Sequence, residues 1–133
     1  MTNSAIDTNI LIYSHDQADL HKQDIARDLI IERPVVSAQV VSEYINVLRR
    51  IMAIPKDNLL GLCAKTLEKL RICPVNVDTI RVAEYIVKRY DLQIFDSIIA
   101  ASALEAGCEI LYSEDMQHNL VINERLKIVN PFI

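Results

Sequence analysis

The chain has 133 residues, of which 51% are hydrophobic and 24% charged, with only two glycines and a formal net charge of −4. That length suits one domain with a substantial core, and the composition excludes disorder, low-complexity repeats and a loop-dominated protein. The summed charge is not that of a bulk polyanion binder. No apolar stretch approaches the roughly 18 residues of a membrane span, and the N-terminus lacks a basic region followed by an apolar one. Neither membrane insertion nor export is expected, and the expected location is cytoplasmic. Cys63, Cys73 and Cys108 form no C-x-x-C pair and lie in apolar contexts, so they read as reduced core cysteines.

In chain order, Ser4 to Ile6 reads as a short buried strand that ends at Asp7. A helix is predicted over Asp19 to Glu32, with Leu20, Ile25, Leu29 and Ile30 on the buried side and Lys22, Asp24, Arg27 and Asp28 on the other. Pro34 to Ser37 is short, apolar and β-branched, a second strand, and Ser37 is placed to cap the next helix. That helix carries Val40, Val41, Tyr44, Ile45, Val47 and Leu48 and runs to about Ala53. Pro55 stops it and suits the first turn of a further helix through about Leu70. Cys73 to Val77 is predicted as a strand, and Asp78 as the cap of a helix to Tyr90. A helix from Phe95 to Ala106 ends at Gly107, and strands over Glu109 to Tyr112 and Leu126 to Val129 follow. Alternating strands and helices imply a parallel sheet covered by helices, joined by right-handed crossovers.

Four acids fall where these elements meet. Asp7 and Asp115 stand at the carboxyl ends of buried strands, where open α/β sheets place their ligands. Glu43 follows Val40 by three positions and precedes Val47 by four, which puts a carboxylate on the apolar stripe, a costly place without a partner. Asp96 lies in the first turn of its helix, where the dipole favours an acid. Each has an ordinary structural reading alone. Together they would repel one another and raise their pKa values, and a bound cation removes that conflict. Between Arg49 and Arg71 stand six basic residues and two acidic ones, a local positive excess that is either a solvated helical face or a basic rim beside an acidic pocket.

These residues are a motif set. The chain resembles the PIN-domain ribonucleases, and most of all the VapC toxins of prokaryotic toxin–antitoxin pairs. The resemblance spans essentially the whole chain and rests on Ile6-Asp7-Thr8-Asn9, Ser42-Glu43, Phe95-Asp96-Ser97-Ile98-Ile99-Ala100-Ala101 and Tyr112-Ser113-Glu114-Asp115. It implies a three-layer α/β/α sandwich with a central, mostly parallel sheet, Mg²⁺ or Mn²⁺ held by Asp7, Glu43, Asp96 and Asp115, and metal-dependent hydrolysis of RNA phosphodiester bonds. Asn9 and Ser113 would give polar support, with Thr8 as local backbone support. Ser113 stands where the family more often has threonine, and Glu114 is a second acid beside the expected aspartate. The resemblance further implies a homodimer and a VapB-like antitoxin. Arg49, Arg50 and Lys56 are the candidate RNA contacts, through phosphates rather than bases.

The chemistry is consistent with that implication. A phosphodiester is anionic, and carboxylates reject it until a divalent cation inverts the local charge. Magnesium takes hard oxygen ligands and keeps several waters, which suits a few aspartates better than histidine or cysteine. His15, His21 and His118 have no metal-ligand spacing, and no phosphate-cradling glycine loop is present. Other classes fit less well. A receiver-like signalling domain needs two adjacent acids after the first strand, and a haloacid-dehalogenase-type phosphatase needs Asp-x-Asp where residue 9 is Asn. A degenerate PIN-like binding module would not retain all four acids.

Overall fold

A computed structural model describes residues 3–133. The elements in chain order are β1 (Ser4–Ile6), α1 (Thr8–Tyr13), α2 (Leu20–Ile31), β2 (Val35–Ser37), α3 (Ala38–Ile51), α4 (Lys56–Leu67), β3 (Arg71–Cys73), α5 (Val77–Tyr90), α6 (Ile94–Glu105), β4 (Ile110–Tyr112), β5 (Val121–Ile122) and β6 (Leu126–Val129). One six-stranded sheet runs in the order β3-β2-β1-β4-β6-β5, parallel except for β5, which pairs antiparallel with β6. With helices flanking the sheet, this is the α/β/α sandwich that the resemblance implies. Among the described residues no helix is long and apolar enough to cross a membrane.

The strands are short, so burial on both faces defines them. Ser4, Ala5 and Ile6 are all buried, as are Val35, Val36 and Ser37. From β1 the chain moves outward through β2 to β3, then returns to lay β4 on the other side of β1. The order reverses between β1 and β4, and a crevice opens at their carboxyl ends, where such sheets bind ligands. Both neighbours of β1 are parallel to it, with Ile6 level with Tyr112. The residues that follow these two, Asp7 and Ser113, therefore emerge side by side.

Local chemistry sets the helix ends. Ser37 caps α3, its hydroxyl accepting from the Gln39 N–H. Pro55 occupies the position before α4. Gly107 takes φ +74 just after α6, a left-handed turn that glycine makes without steric cost. Ser97, Ala100, Ala101 and Ala103 give α6 a small-residue face, all of it buried.

Several expectations are corrected. The third strand is Arg71–Cys73 and not Cys73 to Val77, because Pro74 has no N–H to give a ladder. Asn76, not Asp78, caps α5, through a capping box with Thr79. The helix expected to reach Ala53 stops at Ile51, and the one expected to reach Leu70 stops at Leu67. On α2 the fully buried line is Gln23, Ala26 and Ile30; Leu20 is 61% exposed, and Lys22 turns inward to an ion pair. The helix over Thr8–Tyr13 and the strand Val121–Ile122 are additional elements, each too short to show a period. The three cysteines are free, with Cys63 and Cys108 buried.

Candidate active site

Asp7 is the centre of the site. Its backbone N–H donates to the Tyr112 carbonyl at 2.9 Å, extending the β1–β4 ladder by one residue. Its φ of −84° and ψ of 169° make it the N-cap of α1, with the carboxylate accepting from the Thr8 N–H at 2.7 Å. The second oxygen accepts from the Ser113 hydroxyl at 2.7 Å. Only 5% of Asp7 is exposed. Burial, with help from the nearby charges of Asp96 and Glu43, pushes its pKa up to about 6 in spite of those hydrogen bonds.

The other three acids come from separate elements. Glu43, on α3, is half-buried beside the fully buried line Val40, Tyr44 and Leu48, so it borders the apolar stripe rather than lying in it. Its two oxygens accept from Thr8 Oγ1 at 2.6 Å and Gln39 Nε2 at 3.1 Å. Gln39 Nε2 also donates to the Phe95 carbonyl at 3.3 Å, and so links Glu43 to the start of α6. Asp96 stands in the first turn of α6, half-buried, and its pKa is raised by burial and by the charges of Asp115 and Glu43. Asp115 is exposed on the loop after β4, where Asn9 Nδ2 donates to it at 3.1 Å.

The structure therefore brings Asp7 close enough to Asp96 and Glu43, and Asp96 close enough to Glu43 and Asp115, for their charges to act on one another. Among the described residues none of the four enters a salt bridge. Nor are any three Asp, Glu, His or Cys side chains there grouped tightly enough to enclose an ion. The donor set is nonetheless all oxygen and uncompensated. It fits a hard cation held by one or two carboxylates that keeps most of its water, the habit of Mg²⁺ rather than of a closed zinc or calcium cage.

Asp115, Glu43 and Thr8 line a groove of about 480 Å³ together with Asn46 and Arg50. Arg50 is the one basic residue in that lining. Arg49 turns aside to donate to Asn46 Oδ1 at 2.7 Å, and Lys56 is exposed at the start of α4 without lining the groove. The positive excess between Arg49 and Arg71 is thus dispersed. Arg71, at the amino end of β3, donates to the Arg33 carbonyl, far from the carboxyl ends of the strands.

Glu114 faces away from the acids. It takes a hydrogen bond from Tyr13 Oη at 2.6 Å and pairs with Lys22 Nζ at 2.6 Å, and that pairing holds its carboxyl below the usual range despite burial. Lys22 also sits over the rings of Tyr13 and Phe132. This cluster anchors one side of the Ser113 to Asp115 loop while Asn9 holds the other, its Oδ1 accepting from the Glu114 N–H at 3.4 Å. Thr8, expected as local backbone support, also supports Glu43. Two other residues were not legible as site residues. Gln39 is readable afterwards from its i,i+4 relation to Glu43. Lys22 left no signal, since its partner lies 92 residues away.

The PIN domain family model matches residues 5–121. The chain belongs to the PIN-domain family. Among solved structures, it is similar to a toxin–antitoxin complex from Klebsiella pneumoniae at 20% identity, with 98% of both chains covered and a TM-score of 0.70. It is also similar to the sarcin–ricin-loop-cleaving toxin VapC20 of Mycobacterium tuberculosis, at 18% identity over 82% of this chain and 87% of that one, TM-score 0.65. A DNA-bound VapBC from Salmonella typhimurium aligns at 16% identity over 96% and 97% of the two chains, TM-score 0.70. No curated protein matches the sequence. The resemblance to PIN-domain proteins is borne out in family, and the similar toxin–antitoxin structures bear it out in fold. Identities this low carry the fold alone.

Proposed function

We propose that this PIN domain is a divalent-metal-dependent endoribonuclease and the toxin of a toxin–antitoxin pair. The observation that carries the proposal is the convergence of Asp7, Glu43, Asp96 and Asp115 from four different elements, two of them with raised pKa values and none in a salt bridge among the described residues. Such a group is costly to maintain as a structural feature. It is useful where a cation must meet an anionic phosphodiester.

Bound there, Mg²⁺ or Mn²⁺ would supply charge neutralisation and Lewis acidity toward water and phosphate oxygen. Asp7 and Asp96 are the residues best placed to hold it, being the two whose ionised forms most need a counter-charge. Ser113 and the Thr8 N–H fix both Asp7 oxygens, so the carboxylate is preorganised. Thr8 and Gln39 do the same for Glu43, and Asn9 for Asp115. Arg50, on the groove wall, would take a phosphate oxygen of the substrate. RNA as the substrate is supported by the VapC20 likeness. An antitoxin partner is supported by the toxin–antitoxin complexes among the similar structures. Self-association as a homodimer is part of the same reading.

Incubating labelled RNA with the purified protein tests it. Cleavage should need Mg²⁺ or Mn²⁺, stop with a chelator and vanish in Asp96→Asn; undiminished cleavage in that variant would overturn the assignment. Light scattering on a sizing column should give twice the chain mass at micromolar concentration, and a strict monomer would remove the dimer. Co-expression with the product of an adjacent small gene should yield a complex that no longer cuts.

A further inference from the structure

A second cavity is larger than the acidic groove. It measures about 680 Å³ and lies where the end of α1 meets the last turns of α2 and α4. Arg27, Arg33 and Lys69 line it with His15, and no acidic residue does. Among the described residues none of these three cations forms a salt bridge. Arg27 uses only its Nε, donating to the Ser14 carbonyl at 3.1 Å, which leaves the outer fork of its guanidinium free of hydrogen bonds to the described residues. Arg33 occupies the left-handed region, φ 55, just past α2, where glycine or asparagine is usual. Ile30 and Ile31 supply an apolar wall, and Ile31 is 76% exposed.

Three cations around one concavity repel one another unless an anion joins them, and in a chain of net charge −4 this concentration stands out. The forked guanidinium donors match the oxygens of a phosphate, and the isoleucine wall offers a flat apolar surface to a base or sugar. The volume falls within the range of small-molecule sites. Helix α1 runs between the cavity and the acidic site. Asp7 caps the start of α1 and Ser14 follows its end, seven residues on and thus about 10 Å away along the axis. His15 shares a 2.6 Å hydrogen bond with the Tyr44 hydroxyl, next in sequence to Glu43.

We propose that this cavity is a second nucleotide site, which takes one phosphate-bearing nucleotide of an RNA a short distance from the bond held in the acidic groove. The proposal rests on the ribonuclease reading for RNA as the source. It answers a need that groove leaves open, since Arg50 is the only cation in its lining.

The test uses the whole chain in metal-free buffer with chelator, so that nothing is cut. Amide NMR spectra are followed during titration with adenosine 5′-monophosphate and with a single-stranded RNA hexamer, and hexamer affinity is measured against salt by fluorescence anisotropy. Arg33 and Lys69 are both exposed, so the Arg33→Gln, Lys69→Gln double variant should keep the wild-type spectrum. The expected result is shifts at Ser14, His15, Thr66 and Lys69 with both ligands, and a salt slope shallower by about 2 in the double variant. An unchanged slope would overturn the proposal. So would equal shifts with poly-glutamate, the mark of an acidic-peptide surface, or shifts with the mononucleotide alone, the mark of a free-nucleotide site. Failure of the ribonuclease reading shows separately, as absent cleavage and absent Mn²⁺ stabilisation, because neither measurement here needs metal or turnover.

Discussion

The Ser113 hydroxyl donates to Asp7 Oδ2 at 2.7 Å, so one fully buried side chain ties the end of β4 to the end of β1. Ser113 Oγ also accepts from the N–H groups of Asp115 and Met116, each at 3.3 Å, and so sets the turn that carries Asp115. Ser113→Ala removes the bond that favours the ionised form of Asp7 and leaves two amides short of a partner. Its carboxyl should titrate above about 6, read by ¹³C NMR, and stability should fall by about 1–3 kcal/mol in urea unfolding. Ser113→Thr, which keeps the hydroxyl, should restore both. Failure of threonine to rescue would show that volume and not the hydrogen bond matters.

The raised pKa of Asp7 gives the metal-free protein a particular pH dependence. The folded value, about 6, exceeds the ordinary aspartate value of 3.8, so the folded state binds the proton more tightly. Its contribution is most favourable below 3.8 and is lost as pH rises through about 6, by about 3 kcal/mol at most. Asp96 acts in the same direction. His15, whose pKa burial lowers, acts in the opposite one. The comparison is therefore between wild type and Asp7→Asn. From pH 5 to pH 7 the gap in melting temperature should widen in favour of the variant; a gap that stays constant would refute the shift.

Metal should reverse that order. Mn²⁺ is expected to raise the melting temperature of the wild type, with stabilisation that grows with concentration. Asp7→Asn and Asp96→Asn should melt at or above the metal-free wild type yet gain little from Mn²⁺. Full Mn²⁺ stabilisation in both variants would place the cation elsewhere.

Lys22 and Glu114 offer a test of which acid after β4 is a ligand. If Glu114 only anchors the loop, Lys22→Met frees the loop, loosens Asp115 and weakens Mn²⁺ binding measured by electron paramagnetic resonance. If Glu114 is itself a ligand, releasing it from Lys22 should strengthen binding. The geometry predicts weakening, because both Glu114 oxygens are engaged by Tyr13 and Lys22.

Arg50 is the member of the basic segment expected to matter most at the groove. Arg50→Gln should weaken RNA binding and reduce the salt slope by about 1, whereas Lys56→Gln should change little. Equal effects would mean that the segment acts as a diffuse field and not through one contact.

Much of this molecule was readable from residue order alone. A short apolar run before Asp7 and a β-branched one before Ser37 marked the ends of buried strands, and the α6 stretch from Ser97 to Leu104 announced close packing on a sheet through its small residues. Asp7, Asp96 and Asp115 drew notice because they sit at element ends that local chemistry defines, whereas Glu43, inside α3, drew it as a carboxylate beside apolar positions. Strand Arg71–Cys73 and the cap of α5 were misplaced by a few residues, since Pro74 and Asn76 act on single hydrogen bonds that no periodicity reports.

By itself, then, the sequence determined the alternation of elements, the parallel sheet and the positions of the acids, since these follow from burial period and helix-end chemistry within a dozen residues. Only the tertiary structure decided how those acids are held and what surrounds them. Thr8 meets Glu43 across 35 residues, Asn9 meets Asp115 across 106, and Lys22 meets Glu114 across 92. The basic segment, contiguous in the chain, is split between the groove, a second cavity and the far end of the sheet. Such pairings depend on strand order and crossover geometry, which bring distant side chains within about 3 Å and separate neighbours, and no local propensity encodes them.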